Sequence, residues 1–198
     1  MAKIERAFVS LREGQVHLRR LAGAQSRGPP LLLLHASPVS SWAMQGLMEA
    51  LHQGNPDRLA IAPDTLGNGD SAAPEVPHPD IAYFADSVRR LIDAMELPRI
   101  DIYGAHTGAR IACEFAAAYP DRVDHLVLDG ITEYDDAMRK LIVDNYAPQV
   151  QPDDYGRHLL WAFNFVRDQA LHFPYFLRDP AHRLTNTMPR QRSCIARR

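Results

Sequence analysis

Four consecutive leucines, Leu31 to Leu34, follow Gly28, Pro29 and Pro30 and run into a polar loop that starts at His35. A continuous apolar run this short, bounded by turn residues, is too short for a membrane span and suits a strand buried on both faces. Short strand-like segments recur at residues 59–62, 100–103 and 123–128. Helical patterns fill the intervals. Ser40 and Ser41 cap a segment carrying Trp42, Leu47, Met48 and Leu51, and Asp80 precedes Ile81, Phe84, Val88, Leu91, Ile92 and Met95 at helical spacing. Residues 107–119 form a third helix, which Pro120 stops. Alternating strands and helices predict an α/β fold, a parallel sheet covered by helices on both faces. Ligands of such sheets bind in the loops at the carboxyl ends of the strands.

Ahead of this pattern, residues 7–11 and 15–18 alternate around the turn Arg12-Glu13-Gly14, which predicts an antiparallel hairpin. Beyond Gly130 no further buried strand is visible. Residues 131–183 read as helical and hold nine of the sixteen aromatic residues. The domain reading is therefore a core over 1–130, a helical segment over 131–183 and an irregular tail over 184–198. A chain of 198 residues with formal charge −2 offers no electrostatic reason to bind nucleic acid or an anionic membrane. Cys113 and Cys194 have no metal-ligand spacing, and Cys113 is expected as a small core residue of its helix. The first ten residues lack the apolar region of a signal peptide, so the expected location is cytoplasmic.

Three strand-following loops carry the chemistry. They read His35-Ala36-Ser37-Pro38, Asp64-Thr65-Leu66-Gly67-Asn68-Gly69-Asp70-Ser71, and Gly104-Ala105-His106-Thr107-Gly108. In this order, and in register with the strands, they resemble the α/β-hydrolase superfamily: an H-G-x-P oxyanion loop, a D-x-x-G-x-G-x-S loop and a G-x-S-x-G nucleophile elbow. The resemblance implies an α/β-hydrolase core with part of a helical cap, and acyl-transfer or related chemistry without cofactor or metal. It also implies oxyanion donors at the backbone N–H groups of Thr107 and Ser37, the first at a helix N-terminus.

Two letters depart from the pattern. Ala36 stands where the family has glycine, which narrows the backbone angles open to the oxyanion loop. His106 stands where the nucleophile belongs. Its side chain is open to four readings: covalent nucleophile, general base, ligand contact, or relic of a lost activity. Asp129, at the end of the fourth apolar run, is placed either as an acid orienting His106 or as a loop residue. By resemblance His35 is structural, and Asp64 reads as a turn-fixing residue rather than a catalyst. Neither Ser37 nor Ser71 lies at an elbow.

The aromatic-rich segment favours a small apolar or aromatic substrate. A dinucleotide fold is the competing class, but its glycines are spaced G-x-G-x-x-G rather than G-x-x-x-G. The last strands of the family, with their catalytic histidine, find no counterpart in the sequence. The arginine-rich tail reads as a frameshift or gene fragment, a hypothesis that an intact reading frame at the locus would overturn. A sheet ending at the fourth parallel strand is expected to expose an apolar edge that drives self-association. Two functions stay open: a hydrolase of small apolar esters, amides or C–C bonds, and an inactive chain acting at most as a small-molecule binder.

Overall fold

The computed structural model describes residues 3–22, 28–131, 133–141 and 150–172. Alternation folds the N-terminal residues into strands β1 (Glu5–Leu11) and β2 (Gly14–Leu21), antiparallel with Phe8 opposite His17. The apolar runs become β3 (Leu31–Leu34), β4 (Ala60–Pro63), β5 (Ile100–Ala105) and β6 (Val123–Asp129). They form one six-stranded sheet in the order β1-β2-β4-β3-β5-β6, in which β3 pairs parallel with both β4 and β5, and β5 with β6.

Helices cover both faces of the sheet. Ser40 accepts the Trp42 N–H and starts a 3₁₀ turn over Ser41–Met44, which continues into α1 (Gln45–Gly54). Asp80 accepts the Tyr83 N–H at 2.7 Å and caps α2 (Ile81–Ala94). The third helix, α3 (Thr107–Ala118), packs with α2 on one face, where Val88, Ile92, Ile111 and Phe115 meet Leu32, Leu34, Ile61 and Ile102. Met44 and Met48 cover the other face against Leu31, Leu33 and Ala62. Leu32, Leu33 and Leu34 are each 0% exposed, so this strand is buried on both faces.

Cys113 corrects one expectation, because it is exposed. The buried stripe of α3 runs through Gly108, Ala109, Ile111, Ala112 and Phe115, and position 113 points away from it.

After Ile131 the chain enters a second compact unit. Its described helices are α4 (Asp136–Leu141) and α5 (Arg157–His172). Asp153 starts the turn into α5 by accepting the Tyr155 N–H at 2.9 Å and the Arg157 N–H at 3.1 Å. Trp161 and Phe163 are half-buried, whereas Tyr155 is 86% exposed and Tyr134 is exposed too. Phe173, Tyr175, Phe176 and the tail over 184–198 lie outside the described residues. Among the described residues no helix is long and apolar enough to cross a membrane.

Candidate active site

The turn from β5 into α3 runs through a strained residue. His106 has φ 49° and ψ −105°, a left-handed conformation that costs a non-glycine residue about 1–3 kcal/mol. The surrounding bonds hold it there. The His106 N–H donates to the Asp129 carbonyl at 2.8 Å, and the His106 carbonyl accepts from Ala109 N–H at 3.1 Å and Arg110 N–H at 3.2 Å. The two flanking glycines are steric requirements. A Cβ on Gly104 would lie 2.3 Å from the Gly108 carbonyl oxygen, and one on Gly108 would lie 2.4 Å from that of Leu34. The G-x-x-x-G spacing is what lets strand, turn and helix pack backbone to backbone.

This geometry presents the His106 side chain, exposed, beyond the end of β5. Its imidazole rests on Gly130, where a Cβ would come within 2.7 Å of Cε1. Among the described residues the ring has no hydrogen-bond or ion-pair partner. The Asp129 carboxylate instead accepts the Tyr103 hydroxyl at 2.5 Å. In the β5–β6 register Tyr103 faces Val127 and Ala105 faces Asp129, so tyrosine and aspartate are diagonal neighbours on one face of the sheet. Burial, and then the Asp129 carboxylate, push the Tyr103 hydroxyl up to about 12. Asp129 thus meets His106 through its backbone carbonyl, while its carboxylate is held by Tyr103.

The loop after β3 is fixed from within. His35 is buried, and its Nε2 accepts the Thr65 N–H at 3.0 Å, which places the proton on Nδ1, donating to the Ala36 carbonyl at 2.8 Å. With both nitrogens committed and burial holding the imidazole below its ordinary value, His35 is neutral. Ala36 fits where glycine was expected because its φ is not positive. The Ser37–Pro38 peptide is cis, and Ser37 is exposed. Neither the Ser37 nor the Thr107 N–H donates to another group among the described residues.

Asp64 is the hub beneath these loops. It is 2% exposed, and its Oδ1 accepts the Ser41 N–H at 2.7 Å. Its Oδ2 accepts the Asp70 N–H at 2.8 Å and the His17 Nδ1–H at 2.9 Å. Gly69, at φ +55°, has no room for a side chain because a Cβ would sit 1.9 Å from Asp64 Oδ2. His17 was not a candidate from sequence. Its only signal is a histidine in the middle of an alternating strand, between Val16 and Leu18. His17, Asp64 and Asp70 lie close enough to suggest a cation site. The Arg6 guanidinium, bonded to both His17 and Asp70, already supplies the positive charge there.

A hairpin leading into a helix-covered parallel sheet, with a strained strand-to-helix turn at the carboxyl end of β5, is the architecture of an α/β hydrolase. The model of the alpha/beta hydrolase fold matches residues 29–190, and the chain belongs to that family. It is 34% identical over 106 residues to the 2-hydroxy-6-oxo-2,4-heptadienoate hydrolase of Pseudomonas putida, covering 52% of this chain and 37% of that protein. It is 28% identical over 173 residues to epoxide hydrolase 2 of Siraitia grosvenorii, covering 79% of this chain and 52% of that one. A solved hydrolase from Pseudomonas aeruginosa superposes with TM-score 0.72 over 98% of this chain and 68% of its own, at 19% identity, a likeness of fold alone. The chain spans 32–37% of the length of the first curated relatives it matches.

Proposed function

We propose that the chain carries the site of a cofactor-independent hydrolase of a small apolar ester, amide or C–C substrate, with His106 as general base. The observation that carries the reading is the presentation of an exposed imidazole at φ 49° on the N-terminus of α3, beside the Thr107 N–H. In this scheme a water attacks the substrate carbonyl carbon while His106 accepts its proton. The Thr107 and Ser37 N–H groups bind the oxyanion that forms, and the imidazolium returns its proton to the leaving group. Two relatives in Pseudomonas are named for hydrolysis of 2-hydroxy-6-oxo-2,4-heptadienoate and 2-hydroxymuconate semialdehyde, both small compounds with a carbonyl group, which supports a small carbonyl substrate.

One observation favours a second reading, an inactive member of the family that binds a small molecule. The Asp129 carboxylate is engaged by Tyr103, so no acid among the described residues pairs with the His106 ring. Turnover of a panel of p-nitrophenyl esters separates the two. Hydrolysis that disappears in His106→Ala supports the enzyme, and a well-folded protein with no turnover supports the binder. A fluorophosphonate probe is expected to label neither form, since no serine stands at the turn.

A further inference from the structure

One dipeptide pins both ends of the loop that carries Ser37. Thr65 N–H holds His35 Nε2 at 3.0 Å on one side, and Asp64 Oδ1 holds the Ser41 N–H at 2.7 Å on the other. Between the pins lie only residues 36–40, with the Ala36 carbonyl accepting both His35 Nδ1–H at 2.8 Å and Val39 N–H at 3.2 Å. The position of the Ser37 amide therefore depends on where Asp64 and Thr65 are held.

What holds them is His17. Arg6 Nε–H donates to His17 Nε2 at 2.8 Å, and a guanidinium has no acceptor to offer in return. The imidazole is therefore neutral, with its proton on Nδ1, where it donates to Asp64 Oδ2 at 2.9 Å. The backbones interlock as well. Asp64 N–H donates to the His17 carbonyl at 2.8 Å, while Ser71 Oγ accepts the His17 N–H at 3.0 Å and donates to the Asp64 carbonyl at 2.7 Å. Both side chains are almost wholly buried, at 1% and 2% exposure, so no water replaces a missing partner without rearrangement.

We infer that His17 is a positioning residue for the Ser37 amide, acting through the Asp64 carboxylate that anchors the loop. The inference rests on the reading of Ser37 N–H as an oxyanion donor. The chain of bonds runs from Arg6 on β1 through His17 on β2 to Asp64 after β4, and from there to the loop after β3. Three strands thus fix one backbone N–H. His17→Leu keeps the volume and removes the donor to Asp64. His17→Asn places an amide N–H where Nδ1–H was and restores it.

Amide hydrogen exchange and ester kinetics on the full chain test this. In His17→Leu the Ser41 and Asp70 amides, both bonded to Asp64, lose tenfold or more of their protection while α3 amides stay within threefold. The kcat for p-nitrophenyl esters falls about tenfold with KM within twofold, because an oxyanion donor acts in the transition state. His17→Asn returns both readouts to within threefold of the parent. Unchanged Ser41 and Asp70 protection, or a uniform loss across the sheet, overturns the inference. If the parent turns over no ester, the hydrolase reading fails by itself and the exchange pattern still decides the positioning. If His17→Leu does not fold, the ¹⁵N shifts of the parent decide: the Nδ1–H tautomer of His17 is required, and the Nε2–H tautomer or an imidazolium overturns it.

Discussion

The Tyr103 hydroxyl donates to Asp129 Oδ2 across 2.5 Å, while the backbone carbonyl of the same aspartate accepts the His106 N–H at 2.8 Å. The tyrosine therefore decides what Asp129 offers the turn: a backbone acceptor, with its carboxylate turned aside. Absorbance titration checks this. Tyr103 is expected to ionise at about 12 in the parent. In Asp129→Asn its midpoint moves down but stays above 10.0, because burial is the largest cause of the shift and persists. A midpoint unmoved by Asp129→Asn sinks the pairing.

Gly130 is required twice, by its φ of +66° and by the imidazole lying against its α-carbon. Gly130→Ala is expected to lose about 1–3 kcal/mol in urea unfolding from the backbone alone. The His106 ring must move as well, so its NMR signals shift. An alanine variant as stable as the parent, with His106 resonances in place, would contradict this geometry.

Acid is expected to destabilise the core through two buried histidines. Burial holds His17 and His35 below the ordinary imidazole value of 6.5. Around His17, Asp64 opposes that shift, and the charges of Arg6 and Arg19 reinforce it, with Asp70 paired to Arg6. Around His35, the Ala36 carbonyl and Asp64 oppose it. The native state binds fewer protons than the unfolded chain, so this stability is complete above about pH 6.5 and is lost as pH falls through the folded values. Urea midpoints should hold from about pH 7.5 to 6.5 and drop from there toward pH 5, less steeply in His17→Asn. A flat profile over that range removes the argument.

The outer edge of β6 is unpaired among the described residues, and Leu126 and Val127, which point to opposite faces, are 38% and 54% exposed. Edge strands of this kind template intermolecular pairing. Val127→Lys is expected to shift sedimentation toward monomer at high protein concentration. If the parent is monomeric throughout and the variant matches it, the edge does not self-associate.

Much of this architecture was legible locally. Periodicity and turn residues located the hairpin, all four parallel strands and the Asp80 cap, because burial on a sheet or helix face imposes a repeat that the chain must carry. The paired glycines at 104 and 108 announced the turn, since no side chain fits between its backbones. Cys113 shows the limit of such patterns: its helix was correctly placed, but which stripe of α3 is buried is decided by α2 and the sheet.

The succession of strands and helices and the glycine-framed turn follow from neighbours along the chain, and the three loops carry the resemblance to the α/β-hydrolase family. The turn of the Asp129 carboxylate to Tyr103, the buried hub at Asp64 and its bond from His17 arise from packing in space. Those partners lie 26 and 47 residues apart. A hydrogen bond between side chains depends on distance and direction in space, which local spacing does not encode.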